Sequence, residues 1–314
     1  MPFAARAQQT RKIPRVGVIW HAGSAEEEDV YLSVLTKAFS DLGYVEGKSI
    51  QLEHCFPAEL PERFRSCARG FVDSRVDAIM AVNTLGAKEA KQATSTIPIV
   101  FVLEPDPVGN GLVESLARPG GNITGLSILA RDLSGKRPAL FKELVPNLSH
   151  IAMMVDPRDP YTSQFSAGYE KAAKDLGITT QIVEVTTPDQ IEQAFAAIAR
   201  DGFDGVTLAG SMLFNERVRV GASALKHKMP TMTVVAEMVP HGLLLSYGQD
   251  FPDFFRRSAG YIDKILKGAK PADLPIEQPT HFQLVINSKV ATALGLTIPQ
   301  SLLISATDVI DAHH

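Results

Sequence analysis

Few residues of this chain fall into spacings that support covalent chemistry. The eight histidines are scattered, and none belongs to an H-E-x-x-H pattern. No glycine-rich phosphate loop, no G-x-G-x-x-G after a strand, no paired C-x-x-C and no G-x-S-x-G nucleophile turn occurs. The sequence therefore implies no catalytic residue, no metal and no cofactor. What remains is the chemistry of binding. Ser24 and Asn83-Thr84 stand where helices begin, and the free N–H groups of a first helical turn favour a carboxylate. The same side chains also serve as plain N-caps. Arg158 can grip a carboxylate bidentately or remain a solvated loop charge. Glu104, Asp106 and Glu237 can receive an ammonium group, although Asp106-Pro107 is also an ordinary turn opening. Trp20, Tyr161, Phe214 and Tyr247 can wall an apolar pocket, and Trp20 equally suits a core.

These residues share a position in the pattern of elements. Val16-Gly17-Val18-Ile19-Trp20 is a continuous apolar run, as in a strand covered on both faces. Ser24 with Glu27 then forms a capping-box pattern ahead of Leu32, Leu35, Phe39 and Leu42 at helical spacing. Strands are predicted at 50–55, 78–82 and 97–103, and helices at 61–73, 85–93 and 111–117. Four β-α pairs in a row predict a parallel sheet with right-handed crossovers. Arg118-Pro119-Gly120-Gly121-Asn122 is the strongest turn cluster, and after it the pattern restarts. Helices are predicted at 132–145, 161–176, 188–201 and 214–227, with strands at 151–155, 180–185, 205–209 and 231–235. The remainder, with strands at 243–247 and 282–287, helices at 251–267 and 288–294, is too short for a core of its own.

The expected fold is thus α/β: two Rossmann-like lobes with parallel sheets, the chain re-crossing between them. The first lobe is predicted to hold residues 13–122 and 243–275, the second 123–242 and 276–310. In open parallel sheets, ligands bind beyond the carboxyl ends of strands. That rule selects Trp20, His21 and Ser24; Asn83 and Thr84; Glu104 and Asp106; Asp156, Arg158 and Tyr161, in a stretch that includes Asp159; Ser211 and Phe214; Glu237; and Tyr247.

Composition excludes several classes. With 31 basic and 35 acidic residues among 314, the net charge of −4 leaves no broad basic footprint for nucleic acid. A hydrophobic share of 45% argues against global disorder. No run approaches the ~18 apolar residues of a membrane-spanning helix. Cys55 and Cys67 cannot make a disulfide framework; small buried apolar residues are the expectation, and a pair is the alternative. Ala5-Arg6-Ala7 matches the A-x-A end of a secretory leader, so residues 1–12 are expected to be a leader remnant and a flexible N-terminus.

Longer stretches carry a family resemblance. Gln92-Ala93-Thr94-Ser95-Thr96-Ile97-Pro98-Ile99-Val100-Phe101-Val102, Asp106-Pro107-Val108-Gly109 and Ser115-Leu116-Ala117-Arg118-Pro119-Gly120-Gly121-Asn122-Ile123-Thr124-Gly125-Leu126 closely resemble ABC transporter substrate-binding proteins of the tryptophan/tyrosine-binding type. Leu42-Gly43-Tyr44-Val45-Glu46-Gly47, Ser246-Tyr247-Gly248 and Ala293-Leu294-Gly295-Leu296-Thr297-Ile298-Pro299 resemble them too. The resemblance implies a type I periplasmic binding protein with three crossover segments and a central cleft. It also implies a periplasmic location, a small-molecule ligand, docking on a membrane permease with its ATPase, and no catalysis. A monomer without membrane insertion is expected. The expected ligand is an amino acid or related carboxylate, aromatic ones included. Ser24, Asn83, Thr84 and Arg158 would hold the carboxylate. Glu104, Asp106 or Glu237 would hold an amino group, and Tyr161, Phe214 and Tyr247 would pack the body. A ligand-sensing receptor or an enzyme on the same fold is the alternative.

Overall fold

The computed structural model describes residues 12–128, 135–278 and 281–311. The leader expectation at Ala5-Arg6-Ala7 lies outside the described residues. Two sheets organise the molecule. The first is wholly parallel, in the order β2-β1-β3-β4-β5, built from β1 (Arg15–Ile19), β2 (Gln51–Cys55), β3 (Ala78–Val82), β4 (Ile99–Glu104) and β5 (Ile123–Ser127). α1 (Asp29–Asp41), α2 (Pro61–Asp73) and α3 (Asn83–Ala93) connect its strands. β3 is buried at every position, as the unbroken apolar run of a strand covered on both faces requires, and β5 is buried throughout despite Thr124 and Ser127.

The second sheet runs β12-β11-β10-β9-β8-β6-β7. Its strands are β6 (His150–Val155), β7 (Thr179–Glu184), β8 (Gly205–Ala209), β9 (Thr231–Thr233), β10 (Leu245–Gln249), β11 (Phe282–Asn287) and β12 (Asp308–Ile310). Only the β10–β11 pair is antiparallel. Its helices are α4 (Lys136–Leu144), α5 (Pro160–Asp175), α6 (Gln190–Arg200), α7 (Ser211–Asn215), α8 (Arg217–Lys226), α10 (Ser288–Ala293) and α11 (Gln300–Ser305). α9 (Phe251–Leu266) returns to the first lobe, where it packs on α1, β3 and β4.

The two-lobe α/β class is as expected, but strand membership differs at two places. Residues 123–127 complete the first sheet rather than opening the second, because β5 lies so close to β4 that a Cβ on Gly125 would stand 2.2 Å from the Phe101 carbonyl. The glycine-rich turn therefore precedes the crossover by one strand. Residues 245–249 pair with β9 and β11 and so belong to the second sheet. The chain crosses after β5, between β10 and α9, and again after Glu277, which makes a last bridge to Leu126 before β11.

Four local expectations also change. Residues 111–117 form turns, not a helix, pinned by amide bonds from Leu112 to the Pro107 carbonyl and from Glu114 to the Pro119 carbonyl. Ser24 accepts from the Glu27 amide, but this closes a turn and α1 starts only at Asp29. The buried face of α1 is Tyr31, Leu35, Ala38 and Phe39, while Leu42 is exposed. Cys55 and Cys67 form a disulfide that ties the edge strand β2 to α2. No helix among the described residues is long and apolar enough to cross a membrane.

Candidate functional site

Both sheets reverse their strand order once near the middle, between β1 and β3 in the first lobe and between β6 and β8 in the second. Such switch points open a crevice at the strands' carboxyl ends, because the connections leave on opposite faces. Here the two crevices face each other and enclose a cavity of about 90 Å3. The first lobe contributes His21 after β1, Asn83 and Thr84 after β3, and Leu103 and Pro105 around the end of β4. The second contributes Asp159 and Tyr161 after β6, Gly210, Ser211 and Phe214 after β8, and Val234 and Val235 after β9. Tyr31 from α1, Ile128 and Phe251 complete the wall.

Backbone strain gathers here. Asn83 (φ +65°) and Leu103 (φ +63°) occupy the left-handed region, Leu103 at the point where β4 slips register against β5. Non-glycine residues rarely hold this conformation unless the surroundings enforce it, and such strain clusters at binding sites. The Asn83 side chain accepts from the Gly86 amide at 3.0 Å and so steadies the first turn of α3. The remaining first-turn amides of this 11-residue helix open where Thr84 meets the cavity.

His21 is buried beside the cavity, with Nδ1 2.8 Å from Glu59 and Nε2 3.3 Å from Glu28. Burial alone would depress its pKa. The carboxylates of Glu28 and Glu59, with Asp159 opposite, outweigh burial and hold it at about 9, so the imidazole is a cation at neutral pH. Glu28 also accepts from the amides of His21 and Ala22. Asp159 caps α5: one oxygen accepts from the Tyr161 amide at 2.9 Å, the other from the Ser211 amide and hydroxyl, both at 2.8 Å. A carboxylate has about four acceptor sites, so Asp159 keeps capacity for a ligand donor.

Aromatic rings form the apolar wall. Phe214 stacks on Tyr31 at 5.3 Å, Tyr31 on Phe255 at 4.7 Å, and Phe255 on Trp20 at 5.7 Å. Contacts also cross between the lobes. Tyr31 donates to Glu237 at 3.2 Å, Asn215 to Glu59 at 3.4 Å, and Arg217 to the Glu27 carbonyl and Asp29 at 3.2 and 3.1 Å.

Of the residues selected from sequence, the fold gathers His21, Asn83, Thr84, Tyr161, Ser211 and Phe214 on the cavity wall. The others lie elsewhere. Trp20 is fully buried and donates to His54 at 3.0 Å. Ser24 closes its turn. Glu104 is buried, accepting from the Asp106 amide and Asn110, while Asp106 holds Gly109. Asp156 and Arg158 satisfy each other through a bidentate pair at 2.9 and 2.7 Å. Glu237 stands behind Tyr31, and burial pushes its carboxyl above the usual range despite that bond. Tyr247 lines a separate depression with Lys136, Leu140 and Phe282. The strand-end rule also reaches Asp159, which lines the cavity but has no ligand role in the selection. The selection passes over Tyr31 and Phe251, whose helical positions gave no signal of a cavity.

Two parallel-sheet lobes, three crossings and a cavity between facing switch points define a type I periplasmic binding protein fold. A profile of the ABC transporter substrate binding protein family matches residues 24–310, and the chain belongs to that family. A tyrosine-binding protein of Clostridioides difficile is 26% identical over 264 residues, covering 83% of this chain and 75% of its own. Among solved structures, an ABC domain in complex with L-Trp from Streptococcus pneumoniae superposes with a TM-score of 0.86 at 25% identity, covering 95% of this chain and 99% of its own. A conserved domain protein from Vibrio cholerae reaches 0.87 at 28% identity, covering 95% and 100%. The relatives with named roles are binding proteins, not enzymes.

Proposed function

We propose that this protein is the periplasmic solute-binding component of an ABC importer. It takes an amino acid or related aromatic carboxylate into the inter-lobe cavity, closes on it by hinge motion, and delivers it as a monomer to a permease and its ATPase. The observation that carries this is the cavity itself, shared by both lobes, walled by aromatic rings and furnished with one carboxylate, one imidazolium and a helix N-terminus. The L-Trp and tyrosine named for two relatives support the ligand class. The Cys55–Cys67 disulfide supports an oxidising compartment, reached through a leader ending at Ala5-Arg6-Ala7.

In this proposal the first turn of α3, with Asn83 and Thr84, donates to the ligand carboxylate. Asp159 takes the ammonium group, and Tyr31, Tyr161, Phe214 and Phe251 hold the apolar body. Trp20, through Phe255, and Glu237 back the Tyr31 side of the wall. The test is a thermal-shift screen of amino acids and aromatic acids. A ligand present at about 100 times its Kd adds ~2.7 kcal/mol. Asp159→Asn keeps the N-cap but not the charge, and is expected to weaken amino acids by about tenfold or more while sparing ligands without an amine. No shift with any carboxylate overturns the ligand class, and turnover of a bound compound overturns the non-enzymatic role.

A further inference from the structure

Backbone amides beyond the strand ends are natural partners for a ligand anion. In this chain its own carboxylates take most of them. After β1, Glu28 accepts from the His21 and Ala22 amides at 3.3 and 3.1 Å, and Glu27 from the Gly23 amide at 2.8 Å. After β4, Pro105 has no amide hydrogen, and Glu104 accepts from the Asp106 amide at 2.9 Å. After β6, Asp156 takes the Arg158 amide and Asp159 the Tyr161 amide, at 3.0 and 2.9 Å. After β8, Asp159 takes the Ser211 amide at 2.8 Å. After β9, the Val235 amide goes to the Thr233 hydroxyl. The first turn of α3 carries no such carboxylate, but Asn83 occupies its Gly86 amide.

Side-chain cations are spent in the same way. No lysine or arginine lines the cavity among the described residues. Arg158 is paired with Asp156, and Arg217 with Asp29. His21 does line it, yet Nδ1 faces Glu59 and Nε2 faces Glu28, so two carboxylates answer one imidazolium. Asp159 is the reverse case. Its partners are the Tyr161 amide and the Ser211 amide and hydroxyl, all neutral, and no basic side chain among the described residues pairs with it. A carboxylate against an apolar wall is costly without a counter-ion. Neutral donors such as the α3 amides lose less, because water or a neutral acceptor replaces a missing carboxylate. The wall rings favour the same sign, since aromatic faces attract cations.

Resting on the solute-binding reading above, we propose that a protonated amine, not a carboxylate, is the group this cavity requires, so that it accepts arylalkyl amines lacking a carboxylate as well as amino acids. Asp159 supplies the counter-charge, and Tyr31, Tyr161, Phe214 and Phe251 hold the aryl body.

The test is titration calorimetry on the full chain with L-tryptophan and L-tyrosine, their decarboxylated amines tryptamine and tyramine, and the deaminated arylpropionic acids with the same rings. Each amine is expected to bind at least about tenfold tighter than the acid of the same ring, because the acid leaves Asp159 unpaired and brings a second negative charge beside it. Asp159→Asn is expected to bring that ratio towards one by weakening the amine. The wild-type ranking decides by itself should the variant fail to fold. A smaller wild-type ratio, or a ratio that Asp159→Asn leaves unchanged, overturns the proposal; binding of the amino acids alongside either result leaves the solute-binding reading standing. If none of the compounds binds, the ligand class and the proposal fall together.

Discussion

His21 shows how one side chain in this cleft couples charge to stability. Its pKa is raised to about 9 from 6.5, against burial, by Glu28 and Glu59. A group with a raised folded-state pKa stabilises through its protonated form. That contribution is complete below about pH 6.5 and disappears as pH rises through about 9; the shift corresponds to a contribution on the order of 3 kcal/mol. Melting temperatures measured from pH 6 to 10 are expected to show wild type losing its advantage over His21→Gln across pH 7–9. A gap that stays constant to pH 10 overturns the imidazolium. At this scale the sequence revealed which strand ends to inspect, and it placed His21, Asn83, Thr84, Tyr161, Ser211 and Phe214. It did not reveal that Arg158 is neutralised by Asp156, since pairing depends on rotamers and loop geometry that a residue list does not contain.

At the scale of elements, the edge strand β2 is pinned by one covalent link. The Cys55–Cys67 disulfide closes a loop of 12-residue separation between β2 and α2. Loops of this size gain about 3 kcal/mol from cross-linking in the chain-entropy account. Replacing both cysteines by serine is expected to lower stability by about 2–3 kcal/mol in denaturant melts, and reducing agent is expected to do the same to wild type but nothing to the double variant. Apolar periodicity located most helices and strands, because burial of one face sets the repeat, but it passed over the short β5, β12 and α11. It failed at 111–117, where backbone bonds to Pro107 and Pro119 replace helical ones. It also misread the buried face of α1, which includes Tyr31 and Ala38 and leaves Leu42 exposed.

For the whole molecule, the bonds between the lobes are the contacts that the proposed hinge closure would use as a latch. Arg217 from α8 lies 4.9 Å from the centre of the Phe214 ring and reaches Asp29 and the Glu27 carbonyl across the cleft. The cavity wall and the lobe-to-lobe bonds thus share a side chain stack. Arg217→Gln is expected to raise ligand Kd about tenfold, chiefly through faster dissociation, because the lost bonds exist only when the lobes meet. The single Trp20 is joined to Phe214 through the stack of Tyr31 and Phe255, so its fluorescence in stopped-flow mixing is expected to report the event. An unchanged dissociation rate overturns the latch. The sequence by itself determined the alternation of strands and helices, the two mostly parallel sheets and strand ends that line the cavity, because hydrophobic periodicity and turn residues act locally. Only the tertiary structure decided that β5 closes the first sheet, that β10 joins the second, that Cys55 meets Cys67, and that Asp156 neutralises Arg158. Those outcomes depend on which distant segments share space, and no local pattern encodes that.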